Sequence, residues 1–263
     1  MDIITEQQNT PRRNILMNLL DELGFQSIKS FQASQQLAVD GLAGRITYNA
    51  LHGVLLRVVE LQDFAGFYFA ETFPKRQIVW HHSAGWDDAR GMYDWWKNDG
   101  ARQVATAVGI ENDGTIFRGF NEQYWAHHLG MKHVDNVVRN QQSVAVEICN
   151  WGGLTEKDFQ LYSWADVPVN RSETIRVDYR GYQYFEIYTS AEINTLKYWT
   201  LLNALRFGIP VAYREQDMWQ VSQNAINGVP GLYTHGSYVS WKSDVAPQPN
   251  LIAMAKGLAV YER

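Results

Sequence analysis

Ile78-Val79-Trp80 runs straight into His81-His82, and Ser83-Ala84-Gly85 follows at once. A short apolar run bounded by small turn residues reads as a buried strand. Neighbouring side chains on a strand point to opposite faces, so one histidine can enter a cleft while the other packs behind it. One of the two is a candidate metal ligand, and the strand alone does not choose between them. The rest of the chain must then supply further ligands, a proton shuttle and a substrate groove.

With 263 residues, 46% of them hydrophobic, the chain can build a small domain and a larger one. No stretch approaches the roughly 20 apolar residues of a membrane span. The start, Met1 to Thr10, has neither the basic nor the apolar region of a secretory signal. The protein is therefore expected to be made in the cytoplasm without a signal peptide, reaching any outside target by another route. A single cysteine, Cys149, excludes internal disulfides and cysteine-rich zinc modules. A net charge of -5 argues against a nucleic-acid binder. Ten Trp and fourteen Tyr suit either an aromatic core or a groove for sugars or peptides.

Helical spacing runs from Arg12 to Leu23, then over Ile28–Leu37, and a third helix opens at Thr47 and extends to about Leu61. Residues 63–76, with Gly66 and Pro74, read as a linker. From Gln77 the pattern becomes alternating strands and helices: strands at Ile78–Trp80, Val104–Ile110, Ile116–Phe120 and Ser143–Cys149, and helices at Asp87–Lys97 and after the capping box Thr189-Ser190-Ala191-Glu192. Asn112-Asp113-Gly114-Thr115 is a hairpin turn, and 155–188 is an aromatic, polar insertion. The expected fold class is α/β, a central mostly β-sheet flanked by helices (77–263), preceded by a small all-α three-helix domain (1–62).

Four features fall in chain order: His81-His82, Glu147, His235 and Lys242-Ser243-Asp244. A catalytic zinc takes three protein ligands and leaves one position open, and two histidines with a carboxylate are a common set. The nine-residue separation of His235 and Asp244 lets one loop return both side chains to one point.

Residues 1–62 resemble the peptidoglycan-binding module found beside many wall hydrolases, through Phe31-Gln32, Leu37-Ala38-Val39-Asp40-Gly41, Gly44, Thr47 and Leu51. In that reading Asp40 satisfies turn amides and Thr47 caps the third helix. Residues 77–263 resemble the type 2 family of zinc-dependent N-acetylmuramoyl-L-alanine amidases, which includes peptidoglycan recognition proteins and phage endolysins. The resemblance rests on Ile78–Gly85, Ile110 with Asp113–Ile116, Trp125-Ala126-His127-His128-Leu129-Gly130, Ser143–Glu147 and the segment from His235 to Asp244.

The resemblance implies Zn2+ held by His81, His235 and Asp244, with Glu147 as catalytic proton shuttle and Lys242 stabilising the oxyanion. His128, Trp125 and His82 are implied as substrate contacts, His82 otherwise as a packing partner. The implied partner is bacterial peptidoglycan, cut by a monomer that does not insert into membranes. The family's aromatic or histidine before the hairpin strand is missing from Ala105–Gly109, leaving His82, Tyr233 or Tyr238 to replace it. Two rival readings are a recognition protein that binds without cleaving and a cysteine hydrolase using Cys149.

Overall fold

The structure is a computed structural model and describes residues 2–98 and 103–263. Three helices come first: α1 (Pro11–Glu22), α2 (Ile28–Ser34) and α3 (Arg45–Leu55). Thr10 caps α1, with Pro11 at its first turn, and Ser27 caps α2 in a capping box with Ser30. Helix α3 stops short of the expected Leu61 because Leu56 turns extended. The β-branched pair Val58-Val59 then forms β1 (Val58–Glu60).

The chain continues through β2 (Gln77–His82), α4 (Ala89–Asn98), β3 (Val108–Ile110), β4 (Ile116–Arg118), α5 (Asn136–Gln141) and β5 (Ser143–Ile148). The region expected as an unassigned insertion is a second sheet: β6 (Gly153–Lys157), β7 (Gln160–Tyr162), β8 (Pro168–Val169), β9 (Thr174–Tyr179) and β10 (Tyr182–Glu186). Then come α6 (Ser190–Phe207), α7 (Glu215–Met218), α8 (Gln223–Ile226), β11 (Gly231–Thr234) and α9 (Pro249–Leu258). Helix α6 opens on the anticipated Thr189/Glu192 capping box and stops at Gly208, which takes the left-handed φ of 71°.

The main sheet has the order β1-β4-β3-β5-β2-β11, so the fold is mixed α/β. β3, β5, β2 and β11 run parallel, and among the described pairs of this sheet only the β3–β4 hairpin is antiparallel. Ile78, Trp80, Val144, Val146 and Ile148 face α6, where Trp80 Nε1 donates to Thr200 Oγ1 at 3.0 Å. Val79, Ala145 and Tyr233 face the other way, against Leu129, Met131 and Tyr238. The second sheet, ordered β8-β7-β6-β10-β9, is antiparallel throughout and grows from the end of β5.

The N-terminal helices share one core with the sheet. Ile15, Leu16, Leu19 and Leu20 are buried in the same cluster as Leu201, Leu202 and Leu205 of α6. Arg12 Nε donates to Leu205 O at 2.8 Å, and β1 pairs parallel with β4. The segment 63–76, read as a linker, is packed: Phe64 is buried edge-on to Tyr93, and Phe69 exchanges backbone hydrogen bonds with Trp125. Asp40 Oδ1 accepts from Leu42 N at 2.8 Å as expected. Thr47 does not cap α3; Gly44 holds that position, and the buried Thr47 hydroxyl accepts from Gln32 Nε2 at 3.2 Å.

Candidate metal centre

Three adjacent parallel strands place the site. His81 sits near the end of β2, directly across the register from Glu147 on β5, and His235 follows the last residue of β11. Crevices beyond the carboxyl ends of parallel strands are where open α/β sheets bind ligands. A loop closed by Gly236 N donating to Asp244 O at 3.1 Å returns Asp244 to the two histidines. His81 Nδ1 lies 3.0 Å from His235 Nδ1 and 3.2 Å from Asp244 Oδ2, and His235 Nδ1 lies 2.8 Å from the same oxygen. Among the described residues this trio is the one group of three whose ligand atoms converge in this way.

The hydrogen-bond partners fix the tautomers. His235 Nε2 is 2.9 Å from Leu129 O, a carbonyl that can only accept, so that nitrogen carries the proton. Ser143 Oγ donates to Arg139 O at 2.7 Å and therefore accepts from His128 Nε2, also at 2.7 Å. His128 Nδ1 is then a lone pair, and it accepts from His81 Nε2 at 3.0 Å. Burial lowers the pKa of His81 to about 4, with His235 also opposing its protonation, and holds His128 well below the usual histidine range. Burial pushes Asp244 up, but its contacts with His235 and, after it, His81 outweigh that and hold its carboxyl well below the usual carboxylate range.

With a proton on each Nε2, the two Nδ1 atoms and the anionic Asp244 oxygen face one point. Such a meeting requires a cation, or a proton, at its centre. The donor set fits zinc: two imidazole nitrogens and a carboxylate oxygen, each ring held by a hydrogen bond to its other nitrogen. Ligand atoms around a tetrahedral zinc lie roughly 3.3 Å apart for bonds of about 2.0–2.1 Å, so the trio would open by only a few tenths of an ångström.

Glu147 is 9% exposed, and its Oε2 is buried without a hydrogen-bond partner. Burial first, and the Asp244 charge second, raise its pKa well above the usual carboxylate value. The Lys242 charge acts against that rise and also bears on His81 and His82. Glu147 thus lies on the strand next to His81, and Lys242 lies on the loop two residues before Asp244.

The three implied substrate contacts stand differently. His128 is the hydrogen-bond support of His81, held by Ser143 from behind. Trp125 is 5% exposed and stacks on Phe69 at 4.0 Å, so it lies in the core with one ring face covered. His82 points to the opposite sheet face, where its Nδ1 is 2.9 Å from the Tyr188 hydroxyl and its ring lies over Gly152, at which a Cβ would come within 2.3 Å. It takes the packing alternative of its expectation. Burial lowers its pKa to about 4.

Of the residues named to replace the missing aromatic, Tyr233 donates to Val229 O at 2.9 Å and Tyr238 is buried against it. Cys149 is buried, and burial with the charges of Glu111 and Glu192 pushes its thiol well up, the reverse of what a nucleophilic cysteine needs. Sequence reasoning missed Tyr179 and Arg180, whose hairpin reaches the Gly236–Ser240 loop; no local motif marks them.

No family model matches the sequence, and no curated protein matches it significantly. Among solved structures, the chain is similar to the N-acetylmuramoyl-L-alanine amidase LysC from Clostridium intestinale URNW, at 14% identity and a TM-score of 0.44, over 76% of this chain and 95% of that one. It is also similar to Drosophila PGRP-LB, at 15% identity and a TM-score of 0.40, over 75% and 91% of the two chains. An AmpD structure gives 16% identity and a TM-score of 0.41, over 78% and 94%.

Proposed function

We propose that the protein is a zinc-dependent hydrolase of the amide bond between N-acetylmuramic acid and L-alanine in bacterial peptidoglycan. The observation that carries this reading is the convergence of His81 Nδ1, His235 Nδ1 and Asp244 Oδ2, with both ring tautomers fixed outward. The substrate class comes from the motif resemblance of 77–263. Zinc bound by these three groups would supply Lewis acidity and bring the pKa of a water toward ~7.

Glu147 stands directly across the register from His81, with one carboxyl oxygen that has no hydrogen-bond partner. It takes the proton of the attacking water and delivers it to the leaving alanine amine. A buried carboxyl with a raised pKa suits a group that must hold a proton between those two events. Lys242 places positive charge where the tetrahedral oxyanion grows. The helices of 1–62 would hold the enzyme to the wall.

Purified wall incubated with the zinc-loaded protein tests the reading. New alanine amino termini without new reducing sugars are expected. Reducing ends alone would overturn it, and binding without any new end group would favour a recognition protein.

A further inference from the structure

We propose that the β9–β10 hairpin is a clamp on the loop that carries the metal ligands, with Arg180 as its positioning residue. This rests on the trio being the metal site, and names a control on it that lies outside the trio.

The loop from His235 to Asp244 needs external support. Gly236 N donates to Asp244 O, and Tyr238 N donates to His235 O at 3.0 Å, but Ser240 and Trp241 between them are exposed. Arg180 reaches across from the second sheet. Its Nη2 donates to Gly236 O at 2.9 Å, and its Nη1 donates to Ser240 O. A planar guanidinium can bridge two carbonyls at once, which an ammonium cannot do with the same geometry. Gly236 follows the ligand His235 directly, so the bridge fixes the backbone next to one ligand and pins the far limb of the same loop.

The hairpin tip is shaped for this. Tyr179 pairs with Tyr182, leaving Arg180 and Gly181 as the two turn residues, with φ of 52° and 87°. Two left-handed positions favour Asn-Gly or Gly-Gly. An arginine there is poor turn chemistry, and its side chain is what the position offers.

Next to it, the Tyr179 hydroxyl lies against Gly236, where a Cβ would approach to 2.7 Å, so only glycine lets the hairpin come this close. On β6, Gly153 passes under the Tyr182 ring of β10, where a Cβ would lie 2.4 Å from Cγ. The hairpin thus ties β6, the strand that follows the one bearing Glu147, to the loop bearing His235 and Asp244.

The test compares wild type, Arg180→Ala and Arg180→Lys by amide hydrogen exchange in the metal-free protein and by zinc affinity in chelator competition. Arg180→Ala is expected to exchange the Gly236, Tyr238 and Val239 amides about tenfold faster and to bind zinc about tenfold more weakly, as for loss of a ligand-supporting contact. Its melting temperature should hardly move, added guanidinium ion should restore both readouts, and Arg180→Lys should restore them only in part. Unchanged exchange and unchanged zinc affinity in Arg180→Ala would overturn the clamp while leaving the metal site standing. Faster loop exchange in a protein whose wild type binds no zinc would keep the clamp and sink the metal reading.

Discussion

His128 Nδ1 accepts a hydrogen bond from His81 Nε2 at 3.0 Å, so the second histidine of the Trp125–Gly130 segment orients His81, the first ligand of the proposed metal site. The Ser143 hydroxyl, already donating to Arg139 O, leaves His128 only one tautomer and passes that choice on to His81. His128→Ala should therefore weaken zinc binding by about 10–100-fold, the usual effect of removing a group that orients a ligand. Chelator competition measures it. An unchanged zinc affinity with a raised KM would return His128 to the substrate groove.

Glu147→Gln keeps the shape of the side chain and removes its proton chemistry. Wall hydrolysis should fall by about 10²–10⁴-fold, while zinc content stays at the wild-type level. Turnover within a factor of a few of wild type would remove Glu147 from the mechanism.

The pKa of His81, lowered to about 4 from 6.5, sets a pH window for the metal. Zinc competes with a proton at Nδ1, and at pH 5–7 no proton is there to displace. Zinc retention should stay level from pH 7 to about 5 and drop as the pH falls toward 4. A titration of bound zinc against pH reads this directly, and a loss centred near 6.5 would contradict it. The same shift acts on folding in the metal-free protein. Between pH 6.5 and 4 the unfolded chain binds the proton and the folded one does not, so His81 and His82 each remove stability as the pH drops through that window.

Leu20 is fully buried in the core that α1 shares with α6. Leu20→Ala should cost about 2–5 kcal/mol and lower the single unfolding transition of the whole chain. Two separate transitions by calorimetry, with only the first one moved, would show that residues 1–62 fold apart from the sheet.

Much of this arrangement was legible in the sequence because it is local. The alternation of Val144, Val146 and Ile148 against Ala145 and Glu147 gave β5 its two faces, and the Thr189/Glu192 capping box marked the start of α6. The proposed ligand trio was chosen through the resemblance to the zinc amidases, since strand alternation separates His81 from His82 without saying which face is the cleft.

The missed elements depend on distant partners. Val58-Val59 continues the helical spacing of α3, and β4 makes it a strand. The second sheet has mostly half-exposed strands, so its apolar pattern is weak. The docking of α1 on α6 joins residues some 190 positions apart, as in the Arg12–Leu205 hydrogen bond. Arg180 looked like an ordinary polar turn residue, and its two carbonyl partners lie 56 and 60 residues away.

Metal content of the purified protein tests the central claim most directly. Wild type reconstituted with zinc and passed through a desalting column should retain one zinc per chain, and His235→Ala and Asp244→Ala should each retain far less. Wild type that emerges without metal, or variants that keep it in full, would contradict the assignment of His81, His235 and Asp244 as the ligands.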